Sequence, residues 1–64
     1  MTFTYKFANK SAFILAKRAR SKMGVTSGSV NSKRRTITVD PTTDWAYARW
    51  MVRFDKAIFC GPGC

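Results

Sequence analysis

The residues of this sequence most able to do chemistry are basic side chains, and the chemistry they offer is the binding of anions. Twelve lysines and arginines stand against three aspartates, which gives a formal net charge of +9 over 64 residues. No acidic residue precedes Asp40. Self-repulsion on this scale destabilises a small folded chain, and no fold requires it. The composition therefore predicts an anionic partner.

The basic side chains form three clusters, on a predicted helix, at a predicted turn and on a second predicted helix. Their members, in that order, are Lys10, Lys17, Arg18, Arg20 and Lys22; Lys33, Arg34 and Arg35; and Arg49, Arg53 and Lys56. A turn tip with three cations and no nearby acid can reach into a groove or between phosphates. We therefore expect at least one cluster to bind a partner. The alternative is that these are solvated faces that keep the protein in solution.

Two apolar side chains are expected among these cations. Ile14 points away from the apolar stripe of the first helix, and Trp45 lies on the outer side of the second, with Val52 and Phe59. Arg49 follows Trp45 by four residues, so its guanidinium can stack on the indole ring. Exposed aromatic and arginine side chains are typical of binding hot spots and of nucleobase-stacking surfaces. The alternative is that the second helix is also buried on its outer side, against the first helix or a second copy.

The sequence contains few of the residue types that catalysis and metal binding require. The sequence contains neither His nor Glu, the two commonest general acid–base residues. A zinc site needs about four ligands, and two thiols without a histidine are too few unless a dimer shares them. We therefore expect no enzymatic activity, no small-molecule substrate, no cofactor and no metal.

The two cysteines, Cys60 and Cys64, lie together at the end of the sequence. A small secreted protein of this size would normally carry several disulfide bonds across its core. A helix C-terminus before them does not favour a thiolate. We therefore predict reduced thiols and a cytoplasmic location, which would be the host cytoplasm if a phage encodes the chain. A small disulfide loop or an intermolecular bridge is the alternative.

The elements that must position these side chains begin with a strand over residues 2–7, whose alternation turns Phe3, Tyr5 and Phe7 to one face. A helix follows, with Asn9 as its N-cap and Gly24 at its C-terminus. Its predicted core stripe is Ala12, Leu15, Ala16, Ala19 and Met23. Residues 25–31 are predicted to form an edge strand with a bulge near Gly28.

A turn over residues 32–34 leads into a strand over 35–39, with Ile37 and Val39 facing inward. Asp40 and Pro41 are predicted to start a second helix that runs to about Phe59 and stops at Gly61-Pro62. Its predicted core stripe is Tyr47, Trp50, Met51, Phe54, Ala57 and Ile58.

This β-α-β-β-α order predicts a single α+β domain over residues 1–60 with a short tail over 61–64. We expect a small sandwich in which a three-stranded, largely antiparallel sheet carries both helices on one face. The first strand should lie beside the third and antiparallel to it. The opposite face, lined by Thr and Lys, should stay open.

The favoured functional hypothesis is nucleic-acid binding through phosphates, with little sequence specificity because no helix-turn-helix, zinc finger or RNA-binding aromatic motif is present. The alternative is a protein-binding regulator that docks on an acidic host protein surface, such as the anti-defence or polymerase-directed inhibitors of bacteriophages. Peripheral binding to an anionic membrane through the second helix is a distant third, because the best apolar stripe of that helix is needed for the core. No segment approaches a membrane span in length. A homodimer through the second helix also stays open.

Overall fold

The computed structural model describes residues 2–61, which form two helices and one four-stranded antiparallel sheet. The elements in chain order are β1 (Phe3–Phe7), α1 (Lys10–Lys22), β2 (Ser29–Asn31), β3 (Thr36–Val39), α2 (Trp45–Arg53) and β4 (Ala57–Gly61). The predicted α+β class is confirmed. The predicted number of three strands is wrong, because a fourth strand follows α2. Of the tail predicted over 61–64, Gly61 belongs to β4 and residues 62–64 lie outside the described range.

The sheet has the strand order β2-β3-β1-β4, and every neighbouring pair is antiparallel. β1 lies beside β3 as predicted, with Tyr5 opposite Ile37. The other edge of β1 pairs with β4, where Tyr5 is opposite Phe59. Each helix therefore connects two strands that are separated by one antiparallel strand, which is the split β-α-β arrangement.

β4 occupies a segment for which the sequence predicts helix. α2 ends at Arg53 rather than near Phe59, because Phe54 has an extended backbone (φ −80°, ψ 105°) and a turn separates it from β4. The apolar spacing after Arg53 suits a strand as well as a helix: Ala57 and Phe59 face the helices, while Ile58 faces the other way. Pairing with the free edge of β1 decides between the two.

The start of α2 also differs from the prediction. Asp40 does not cap the helix; its Oδ1 accepts a hydrogen bond from the Thr42 N–H at 2.9 Å and forms a turn. Hydrogen bonds from Thr42 hold the pKa of Asp40 below its ordinary value. α2 begins at Trp45, and Asp44 occupies the N-cap position without capping its own helix.

Both predicted ends of α1 are confirmed. The side chain of Asn9 accepts a hydrogen bond from the Ala12 N–H at 2.8 Å, which satisfies one of the free donors of the first turn. Gly24 follows the helix with φ +68°, the left-handed conformation that commonly ends helices.

The buried face of α1 is rotated from the predicted stripe. Leu15 and Met23, both predicted in the core, are exposed. Phe13 takes their place and contacts the Phe7 ring, with centroids 6.0 Å apart. The buried residues of the helix are Ala12, Phe13 and Ala16. The helix is rotated in this way because Phe13, its largest apolar side chain, fills the space above β1.

The edge strand predicted over residues 25–31 is shorter than expected. Only Ser29–Asn31 pairs with β3, while Val25 is buried in the core from the preceding loop. The bulge predicted near Gly28 is wrong: Gly28, with φ +74°, lies before β2, and the β2–β3 pairing has no register shift. A Cβ atom there would lie 1.8 Å from the carbonyl oxygen of Thr38, so no larger residue fits this backbone.

Both helices pack on one face of the sheet, as predicted. The largest fully buried side chains come from α2 and the sheet: Tyr47, Phe7, Ile37, Met51 and Val39. The Tyr47 hydroxyl donates a hydrogen bond to the Ala16 carbonyl at 2.7 Å and so joins the two helices. The stripe predicted for the second helix is correct for Tyr47 and Met51, but Trp50 and Phe54 are only half-buried and Ile58 is exposed.

The opposite sheet face carries threonines and one lysine along the two central strands, as predicted. Its residues on these strands are Thr4, Lys6, Thr36 and Thr38. The hydroxyls of Thr4 and Thr38 are hydrogen-bonded across the strands at 3.0 Å. Lys6 is exposed, but Thr4 and Thr36 are only 5% and 8% exposed, so the prediction of an open face is wrong for these two residues.

Candidate nucleic-acid interface

Three chain connections meet at one end of the sheet. The backbone N–H of Phe7, at the end of β1, donates to the carbonyl of Arg35 at 3.0 Å, just before β3 begins. Phe7 also lies opposite Ala57, the first residue of β4. The connections β1–α1, β2–β3 and α2–β4 therefore leave the sheet side by side. We call this the hairpin end, made of residues 8–9, 32–35 and 54–56 with the first residue of α1 and the last of α2.

The hairpin end brings together members of all three predicted basic clusters. The β2–β3 turn supplies one cluster whole, the start of α1 supplies one cation, and the end of α2 with its connection supplies two. These cations are Lys33, Arg34, Arg35, Lys10, Arg53 and Lys56, and all are exposed. Asp55 is the one acid at this end.

The turn tip has a defined backbone. The Asn31 side chain accepts a hydrogen bond from the Arg34 N–H at 3.2 Å. Arg35 has φ +53°, and it is the one non-glycine residue of the described chain with positive φ. Residues with a Cβ atom pay roughly 1–2 kcal/mol for this conformation. The turn predicted over 32–34 is confirmed and extends through Arg35.

The outer face of α1 extends from the hairpin end. Lys10, Ile14 and Lys17 share this face at helical spacing, and Ile14 is 38% exposed, as predicted. The Lys17 ammonium lies 5.6 Å from the centroid of the Phe13 ring. Lys22 is about 18 Å along the helix from Lys10, given a rise of 1.5 Å per residue. Lys22 therefore does not reach the tip, and Arg18, which is exposed like Lys22, lies about 12 Å along the helix from Lys10.

Arg20 differs from the other cations of its cluster in its burial and its contacts. It is half-buried, and its Nη2 donates a hydrogen bond to the Ser27 carbonyl at 3.4 Å. Its Nε has no hydrogen-bond partner in the described chain. Its positive charge also lies near Tyr47, where it opposes the rise that burial causes in the tyrosine pKa. Arg20 is thus held against the loop that contains Ser27, while the other cations of its cluster are exposed.

The outer face of α2 carries a second strip toward the hairpin end. Trp45 is 60% exposed, and the Arg49 guanidinium carbon lies 5.8 Å from the centroid of its ring, as predicted. Arg53 follows one turn later. A shallow cleft of about 250 Å³ beside this strip is lined by Met23, Trp45, Ala46, Arg49, Trp50 and Arg53, with no acidic residue. Within residues 2–61 the outer side of α2 is not buried against α1, so that part of the alternative is wrong, while burial against a second copy stays a prediction.

Lys6 is the cation that the sequence analysis missed. It is exposed on the sheet face away from the helices, opposite Thr36, which follows Arg35 of the tip. The alternation of β1 places it on that face, but only the pairing of β1 with β3 brings it to the hairpin end. The sheet face away from the helices carries no aromatic side chain on β1 or β3, unlike the RNA-binding sheets that stack bases there.

The described residues offer few other groups for metal binding or thiol chemistry. No group of three His, Cys, Asp or Glu side chains that could hold a metal ion occurs within residues 2–61. Cys60 lies in β4 rather than after a helix, and it is disulfide-bonded, so the expectation of a reduced thiol is wrong for this residue. Cys64 lies outside the described residues. Neither described helix has the length and apolar character that crossing a bilayer requires.

Comparisons with known proteins do not assign this chain to a family. No family model, no curated protein and no solved structure is significantly similar to it.

Proposed function

We propose that this protein binds nucleic acid through phosphate contacts, with little sequence specificity, and that the hairpin end makes the main contact. The observation that carries the proposal is the convergence of seven exposed cations, Lys6 included, on one end of the sheet, beside a single acid. Phosphate contacts from Lys and Arg side chains supply most of the affinity in non-specific nucleic-acid binding.

The distribution of acids supports this proposal. Asp40 and Asp44 lie in the connection between β3 and α2, at the end of the sheet opposite the hairpin end. Both carboxylates accept hydrogen bonds from neighbouring residues. The chain therefore has a strongly positive end and an end where charges are partly balanced, which favours one orientation toward a polyanion.

The backbone of Arg35 is a second support. A glycine or asparagine would adopt φ +53° with less strain. A cation kept in this conformation is the kind of local strain that functional sites tend to hold. The side chain of Arg35 accordingly belongs to the proposed interface with Lys33 and Arg34.

The strip on α2 adds base contacts to the phosphate contacts. Trp45 presents an exposed ring backed by Arg49, and unpaired bases stack on such rings whatever their sequence. The proposed interface thus runs from the tip through Lys56 and Arg53 to Trp45. Arg18, Arg20 and Lys22 are left out of it.

A second candidate function is a regulator that docks on an acidic protein surface. The observation that favours it is Ile14, which is exposed between Lys10 and Lys17 and gives nothing to a phosphate. A nuclease-treated preparation that keeps a stoichiometric protein partner and ignores oligonucleotides would support this second function.

The proposed function is tested by fluorescence anisotropy with labelled 20-nucleotide single strands and duplexes of unrelated sequence. We expect binding to both at low salt, with affinities that vary little between sequences and fall steeply as salt is raised. Lack of binding to either form at low ionic strength would refute the proposal.

A further inference from the structure

The two edges of the sheet differ in character. The edge formed by β2 is three residues long, and its exposed residues Ser29 and Asn31 are polar. The edge formed by β4 has no charged side chain, and of its five residues Ala57, Ile58 and Phe59 pair with β1 in regular register, before a register shift that precedes Gly61. Long uncharged edge strands are templates for pairing with another strand, and proteins usually protect them with charge, proline or short length.

The β4 edge is apolar on both of its faces. Phe59 is 56% exposed on the face that carries the helices, next to Val52 of α2, which is 75% exposed. Ile58 is 55% exposed on the opposite face. A cleft of about 330 Å³ between α2 and the sheet is lined by Phe3, Tyr5, Met51, Val52, Ala57 and Phe59, none of them charged.

A suitable occupant must therefore be a strand with apolar side chains on both faces. A helix in the cleft would leave Ile58 exposed and the edge of β4 unpaired. An acidic segment would find no cation among the residues that line this cleft. The strand Ala57–Gly61 itself has the required pattern, so the edge is complementary to a second copy of itself.

We propose that β4 pairs antiparallel with β4 of a second copy across a twofold axis, which joins the two sheets into one of eight strands. Val52 of each copy then packs over the new strand pair on one face, and Ile58 covers the other. The homodimer that the sequence left open through helix two is in this proposal an interface built on β4, with α2 beside it.

The charge of the chain does not prevent this pairing. In an antiparallel pair centred on Ile58, the two Lys56 Cα atoms lie about 13 Å apart, since a strand rises about 3.3 Å per residue. Centring on Phe59 increases this distance. Both values exceed the screening length of about 8 Å at physiological ionic strength. In the dimer, the hairpin ends of the two copies point in opposite directions along the strands, and both remain accessible to nucleic acid.

The test is the mass of the whole chain by sedimentation equilibrium over a range of concentrations, with and without a reducing agent. We expect a reversible dimer of twice the 7.2 kDa monomer. Val52→Lys and Ile58→Lys, placed on opposite faces of the edge, should each raise the dissociation constant by more than tenfold. Leu15→Lys makes the same change at a 50% exposed position on α1 and should leave it unchanged.

Circular dichroism of each variant confirms that a monomeric variant is still folded. A wild-type chain that stays monomeric at every concentration would overturn the proposal. So would a dimer that survives both β4-edge variants, one that Leu15→Lys dissociates equally, or one that disappears only on reduction. Each of these results leaves the nucleic-acid proposal untouched, because the interface at the hairpin end is not altered.

Discussion

The carboxylate of Asp44 accepts hydrogen bonds from both the backbone N–H of Ser27, at 3.1 Å, and the Ser27 hydroxyl. The same hydroxyl accepts a hydrogen bond from the backbone N–H of Asp40 at 3.2 Å. The loop before β2 is thereby fastened to the connection that starts α2. Asp40 and Asp44, two of the three acids, thus lie at the end of the sheet opposite the hairpin end. The hairpin end therefore keeps its net positive charge.

The contact between Asp44 and Ser27 should matter more for stability than for binding. We expect Asp44→Ala to lower the free energy of unfolding by about 1–3 kcal/mol, because it leaves two donors of Ser27 without their acceptor. Urea denaturation followed by circular dichroism measures this. Asp55→Asn, which removes the same charge at an exposed position, should change stability by less than about 0.5 kcal/mol. Equal losses in the two variants would show that the effect is one of net charge.

Two glycines with similar backbone angles should respond differently to alanine. Gly28→Ala forces a Cβ atom against the Thr38 carbonyl, so β3 must move and we expect a loss of more than about 3 kcal/mol or no folded protein. Gly24→Ala meets no atom within 4 Å and should cost only the roughly 1–2 kcal/mol of a left-handed conformation. Thermal and urea unfolding of the two variants gives the comparison. A smaller loss at Gly28 than at Gly24 would contradict the register of the β2–β3 hairpin.

Tyr47 should make the fold sensitive to alkaline pH. Burial raises its pKa above the ordinary value of 10.0, and its hydroxyl must keep the proton to donate to Ala16. The folded chain therefore holds this proton to higher pH than the unfolded chain. Its stabilising effect is complete below about pH 10 and is lost as pH rises through the folded pKa.

The free energy of unfolding, measured by urea titration between pH 8 and pH 11, checks this sign. Tyr47→Phe should flatten the decline above pH 10, and its lost hydrogen bond should cost about 0.5–1.5 kcal/mol at neutral pH. Part of the decline should remain, because burial also raises the pKa of Tyr5. An unchanged alkaline decline in Tyr47→Phe would exclude Tyr47 as its source.

Local signals in the sequence were enough for much of the fold. The alternation of β1, the Asn9 cap and the Gly24 terminus of α1 each depend on a few adjacent residues, and each was predicted correctly. β4 was missed because the residues after Phe54 suit both helix and strand. What decides between them is the free edge of β1, some fifty residues earlier in the chain.

The candidate site was likewise predictable from local sequence only in part. The three basic clusters and the Trp45–Arg49 pair follow from spacing along the sequence alone. Their convergence does not: Lys10, Lys33 and Lys56 come to one end only because β1 lies between β3 and β4. The burial of Arg20 also depends on the distant loop that contains Ser27, so no feature of α1 alone could reveal it.

Trp45 should distinguish single strands from duplexes. Trp45→Ala is expected to weaken single-strand binding by about 1–3 kcal/mol, the usual contribution of one base stacked on an aromatic ring. Duplex binding should change little, because paired bases are not available to the ring. Leu15→Ala, another exposed apolar position, is the control. Equal weakening of both nucleic-acid forms by Trp45→Ala would argue for a protein-contact or folding role instead.

The most direct test of the hairpin end as the phosphate-binding surface is the salt dependence of duplex binding. If about five phosphates are neutralised, the logarithm of the binding constant should fall with the logarithm of salt concentration at a slope near −4.5. Lys33→Glu with Arg34→Glu should reduce the slope by about 1.8, since two contacts are lost. Arg18→Glu with Lys22→Glu changes the net charge equally and should leave the slope close to that of the wild type. A wild-type slope near zero, or the same reduction in both variants, would contradict the account.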